Sequence, residues 1–106
     1  MYNILIMRNA SEDLMPKIAE AVSNKEYIKA YRLLGEIEGE RTTLNLINEI
    51  NDMRQLLHEL ERQFELAMNN YYDEESYFMW YYWGKAKRLQ HYIDDISRGI
   101  NNAYNE

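Results

Sequence analysis

Residues 46–103, LINEINDMRQLLHELERQFELAMNNYYDEESYFMWYYWGKAKRLQHYIDDISRGINNA, decide the fold. Their apolar positions begin Leu46, Ile50, Met53, Leu57, Leu60, Phe64, Ala67 and Tyr71, an alternation of four and three that puts one stripe along a helix. A second stripe follows the segment Asn69-Asn70-Tyr71-Tyr72-Asp73: Met79, Tyr82, Ala86, Leu89, Ile93, Ile96, Ile100 and Ala103. The spacing predicts two long helices, about 42–70 and 74–103, with Asp73 as N-cap of the second and Glu74 and Glu75 in its first turn. Facing pairs such as Phe64 with Tyr82, Leu60 with Ala86 and Leu57 with Leu89 share a constant sum of residue numbers, the signature of an antiparallel coiled-coil hairpin.

Upstream, Asp13 is placed to cap a short helix near 14–22 in which Pro16 sits in the first turn, where its missing N–H matters least. Leu14, Ile18 and Val22 form its stripe. Ser23-Asn24-Lys25-Glu26 reads as a capping box that starts a second short helix, with Tyr27, Ile28, Tyr31, Leu34 and Ile37 apolar and Gly35 and Gly39 weakening its end. Asn24 to Tyr31 resembles the turn and second helix of a tetratricopeptide repeat. That resemblance implies helix-turn-helix packing over Ala19 to Leu34 and no function, since a single unit without stacked neighbours is not a solenoid.

The expected fold is therefore all-α: one domain, 1–106, of two short N-terminal helices packed on a long antiparallel hairpin. Helices of about 30 residues are about 45 Å long, whereas a compact domain of this size has a radius of gyration of about 13 Å. The short helices cannot flank so long a hairpin on both sides, so a homo-oligomer is expected.

Composition narrows the function. With no cysteine, thiolate metal sites, disulfides and cysteine nucleophiles are excluded. The apolar start, Met1 to Met7, lacks a basic leader and a cleavage site, and no stretch has the roughly 20 apolar residues of a membrane span, so a cytoplasmic protein without membrane contact is expected. A net charge of −6 argues against direct nucleic-acid binding. The charge is also spread evenly: residues 1–40, 41–72 and 73–106 each carry two more acidic than basic side chains, unlike the concentrated carboxylates of a DNA mimic. The abundance of Tyr, Asn and Ile fits AT-rich coding, as in a phage or a low-GC bacterium.

Catalytic patterns are missing. Neither His58 nor His91 has the Glu three residues earlier that a carboxylate-bridged di-iron bundle requires. There is no phosphate-binding glycine loop, and Asp94/Asp95 and Glu61/Glu65 read as solvated helix faces. No enzyme, metal or cofactor is expected. What stands out is Tyr77-Phe78-Met79-Trp80-Tyr81-Tyr82-Trp83, which places six of the chain's 14 aromatic residues within seven positions. One seam cannot bury them all. Tyr77, Trp80 and Tyr81 are expected to point away from it, on a stripe that continues through Gly84, Lys87, Arg88 and His91. Three uses suit such a stripe: packing of Tyr77, Trp80 and Tyr81 against the N-terminal helices or a second copy of the chain; a face for a protein partner, as in a phage accessory, anti-defence, immunity or other inhibitor protein; or a site for an anionic ring-containing small molecule such as a nucleotide.

Overall fold

A computed structural model describes the backbone of residues 10–105 and the side chains of 13–102; the apolar N-terminal stretch and the side chain of Ala103 lie outside the described residues. The described chain is all-helical, with four helices: α1 (Ala10–Ser23), α2 (Tyr27–Glu49), α3 (Met53–Asp73) and α4 (Met79–Asn105). It measures 49 × 29 × 23 Å along its principal axes.

The N-terminal helices differ from the sequence reading in extent and in the face they bury. Helix α1 already runs at Ala10, so Asp13 lies within it and Pro16 sits beyond its first turn. Its buried stripe is Leu14, Ile18 and Ala21, while Val22 is half exposed. The expected capping box does not form. Ser23 ends α1, and Glu26 precedes α2 without a side-chain capping bond. Backbone bonds close the turn instead: the Glu26 amide donates to Ala21 O (2.8 Å) and the Lys25 amide to Val22 O (3.0 Å), around Lys25 at φ 60°. This is a Schellman motif with lysine at the left-handed position where glycine is usual.

Helix α2 does not end at its glycines. It continues to Glu49, so the expected first arm, 42–70, is not one helix: it is divided between the end of α2 and α3. The break falls at Ile50, which is extended (φ −116°, ψ 122°), and at Asp52, whose carboxylate accepts the Arg54 amide at 3.0 Å as the N-cap of α3. Helix α3 in turn runs through Asp73 into the expected turn, and α4 starts at Met79, later than the expected 74. The 74–78 connection supplies its own cap, because the Ser76 hydroxyl donates to the Glu74 carboxylate (3.0 Å) and accepts the Phe78 amide (3.2 Å).

Helix α4 is the centre of the fold: α2 and α3 both pack against it and touch each other little, and α1 packs on α2 alone among the described residues. On the α3 side, Leu56 and Leu60 form the main core with Leu89, Ile93 and Ile96, and Leu46, Ile47 and Ile50 from the end of α2 close over it. Burying several such side chains, at about 1.5–3 kcal/mol each, is what holds α3 in place.

The α2–α4 contact is of another kind. Its buried positions on α2 include Gly35, Gly39, Glu40 and Thr43, which are small or polar, whereas Leu33 is turned to α1. A Cβ on Gly35 would strike the Tyr81 carbonyl and lie 2.7 Å from the Lys85 amide nitrogen. One on Gly39 would lie 2.8 Å from Lys85 O, and one on Gly84 would strike the Arg32 carbonyl. The two backbones therefore touch directly. Tyr31 meets Phe78, Arg32 meets Gly84, and Gly39 meets Arg88, so the paired numbers rise together and the helices run in the same direction. Of the five residues expected to be the apolar face of the second helix, Tyr27, Ile28 and Leu34 are exposed, while Tyr31 packs on Phe78 and Ile37 on the Leu14, Ile18 and Leu33 cluster.

Three substitutions separate these backbone effects. Gly84→Ala should destabilise the chain by about 2 kcal/mol, since overpacking against an immovable carbonyl outweighs the gain in helix propensity. At Gly99, where an added Cβ would meet nothing within 4 Å, the same change should stabilise by about 1 kcal/mol. Lys25→Gly should also stabilise by about 1 kcal/mol by relieving the left-handed residue. Thermal melts will read each as a shift of roughly 4–8 °C per kcal/mol; a Gly84→Ala variant as stable as Gly99→Ala would refute the close-packing account.

Candidate interaction surface

The fold divides the aromatic run 77–83 between two environments. Towards α3, Tyr71 packs edge-on to Trp80 (centroids 6.0 Å apart), lies tilted against Trp83 (5.4 Å), and meets Tyr72 (5.2 Å). Phe78 belongs to a second group, stacked on Tyr81 (4.7 Å, 11° between planes) and edge-on to Tyr82 and to Tyr31 of α2. Such ring pairs contribute about 0.5–1.5 kcal/mol each beyond the area they bury. Trp80, Tyr81, Tyr82 and Trp83 are all partly buried in this way.

The seven residues expected to share one outward stripe are consequently not all on one surface. Gly84 is buried against the Arg32 carbonyl, so α2 already occupies the close approach that it allows. The stem of Arg88 covers Gly39, and its guanidinium lies 5.3 Å from the Tyr92 ring, inside the α2–α4 contact. Trp80 and Tyr81 go to the two aromatic groups. Tyr77 (69% exposed), Lys87 and His91 remain at the surface. His91 lies 3.5 Å from the Asp95 carboxylate, which also pairs with Arg98. Asp94 instead accepts the Gln90 amide at 2.8 Å, so the adjacent aspartates serve separate partners on the helix surface.

Two depressions form along the α2–α4 face. The larger, about 500 Å³, lies between the α1–α2 turn and Tyr77 and is lined by Lys25, Tyr27, Ile28, Lys29 and Arg32 among others. The smaller, about 300 Å³, is bounded by Arg32, Glu36, Trp83, Gly84 and Lys87, with the Lys87 ammonium 5.4 Å from the Trp83 ring centroid. Arg32 belongs to both and joins them into one strip. The residues that the sequence reading overlooked here are those of the α1–α2 turn and of α2, and a signal was available: Lys25, Lys29 and Arg32 recur at spacings of four and three, with Lys29 and Arg32 on one face of α2 and Lys25 in the turn before it.

Behind the strip, the α2–α4 contact buries polar groups. Glu40 and Thr43 are fully buried, and the Thr43 hydroxyl donates to Gly39 O at 2.8 Å. Two tyrosines in this region hold their protons above the usual phenol range. Burial is the main cause at Tyr92, reinforced by the Glu40 charge and opposed by Arg88. At Tyr81 burial again leads, with Glu38 and Tyr82 adding and Arg41 opposing. Among the described residues no group of three His, Asp or Glu side chains could hold a metal ion, and no helix is long and apolar enough to cross a membrane. Compared with known proteins, the chain matches no family model, no curated protein and no solved structure.

The tyrosine shifts set an alkaline limit on stability. A phenol with a folded pKa above its unfolded value contributes stability that is fully present below about pH 10 and is lost as pH rises through the folded value. Thermal midpoints measured from about pH 9 to about pH 11.5 should fall for the wild-type chain and fall less for Tyr92→Phe. An identical slope for the two would remove Tyr92 from the account.

Proposed function

We propose that the chain is a non-enzymatic binding protein that docks another protein on the α2–α4 face and so modulates or inhibits it. The observation that carries this reading is the set of aromatic and apolar side chains left exposed around the α1–α2 turn and the start of α4: Tyr27 at 53%, Tyr77 at 69%, Ile28 at 41% and Phe78 at 39%. Aromatic anchors of this kind dominate the energetics of protein interfaces because they bring large area at low entropic cost. The hairpin expected from α3 and α4 serves in this reading as the support that presents the face.

A small anionic ring-containing ligand is the rival occupant. Sites for such ligands are concave and cover most of the ligand's surface. The two depressions lie open along the face and are joined end to end, which favours a macromolecule. Self-association belongs to the same proposal: Leu34 (41% exposed) and Leu66 (45%) are apolar side chains that a second copy would cover. The long α2 takes over one flank of α4, however, and so weakens the original reason for expecting an oligomer.

Photo-crosslinking provides the test. With p-benzoylphenylalanine in place of Tyr77, a covalent adduct to a second protein should form in the native host lysate, and Tyr27→Ala should reduce its yield at least tenfold. The same probe in place of Glu61, an exposed residue of α3, should give no such adduct. Adducts of equal yield from both positions would count against the docking face, and an adduct of twice the chain's mass would assign the face to self-association.

A further inference from the structure

We infer that the partner presents an extended, acidic segment of about five residues with an aromatic or large apolar side chain at one end. The inference rests on the proposed docking face and adds the chemistry of what it receives. Although the chain carries a net −6, the strip gathers four exposed cations, Lys25, Lys29, Arg32 and Lys87, against two carboxylates, Glu26 and Glu36. An acidic protein with a locally basic strip attracts an acidic segment there and repels it elsewhere, which sets both orientation and register.

Geometry fixes the length and polarity of the segment. From Tyr27 to Glu36 the strip follows α2 for about 14 Å at 1.5 Å per residue, and Lys25 extends it by a few ångströms into the preceding turn. An extended peptide rises about 3.3 Å per residue and crosses that distance in about five residues. The larger depression, beside Tyr27, Ile28 and Tyr77, accepts the apolar side chain. From there Lys29 and Arg32 lead towards Lys87, placing carboxylates of the segment over successive cations. Nucleic acid fits less well, since four cations in a chain of net −6 offer few phosphate contacts and the rest of the surface opposes a polyanion.

The probe is a displayed library of random nine-residue peptides selected against the full chain. Enriched peptides should be rich in Asp and Glu with one aromatic residue, and should bind Lys29→Glu/Arg32→Glu at least tenfold more weakly than the wild type. Circular dichroism should show both proteins equally helical, because both side chains are exposed. Binding should also weaken as sodium chloride rises. Neutral or basic enriched peptides, acidic peptides indifferent to the charge reversal, or tighter binding of a single-stranded DNA 20-mer to the strip would each overturn the inference. If the enriched peptides lose affinity on Tyr27→Ala/Tyr77→Ala but not on charge reversal, the docking face survives and its acidic partner does not. A selection that enriches nothing counts against the acidic segment, and the crosslinking yield at position 77 then decides the docking face separately.

Discussion

The backbone contact between α2 and α4 is the constraint on which the rest of the structure depends. Gly35 and Gly39 on one helix and Gly84 on the other bring the two main chains together where any side chain would collide with a carbonyl. Close approach of this kind gains dispersion energy over many small contacts and costs the conformational entropy that glycine surrenders in a helix. Once α2 is seated, α4 has one flank filled, and α3 takes the other through the leucine and isoleucine core. Helix α1 then has only α2 to pack on.

The same contact determines where the aromatic side chains go. A helix that begins with five apolar or aromatic residues, Met79 to Trp83, and follows two more needs partners on more than one side. Helix α2 passes over Gly84 and the backbone of Tyr81, so Phe78 and Tyr81 gather beside it, while Trp80 and Trp83 turn to Tyr71. The close contact also turns the larger apolar residues at the start of α2 away from α4. Tyr27 and Ile28 therefore line an open strip with Lys25, Lys29 and Arg32, and the proposed docking face is a consequence of glycine packing behind it.

Polar burial follows from the same geometry. Small residues leave room beside them for Thr43, whose hydroxyl is satisfied by Gly39 O, and for the stem of Arg88, which lies along Gly39 with its guanidinium over Tyr92. Such groups fit a helix contact made by glycine and would be crowded out of one made by leucine. They also make this contact more exacting than the α3–α4 core, where apolar side chains of similar volume can replace one another at modest cost.

Much of the helical content was legible in advance, because apolar residues recur at helical spacing and breakers are few. The turn between α1 and α2, the separation of α3 from α4 and the concentration of aromatics at one end could all be read along the chain. The interruption at Ile50 to Asp52 was legible too, since Asp52 followed by Gln55 has the form of a capping pair, but a 4–3 stripe running across it pointed to one helix. What the sequence by itself determined was that α3 and α4 each have an apolar face and that the start of α4 has more apolar surface than one partner covers. Only the tertiary structure decided that Gly35 and Gly39 join helices rather than end one, and that Gly84 and Arg88 lie inside while Tyr27 and Lys29 lie outside. The physical reason is that a stripe records which face of a helix leaves water, whereas a glycine records only the absence of a side chain, and its meaning depends on what another part of the chain brings against it.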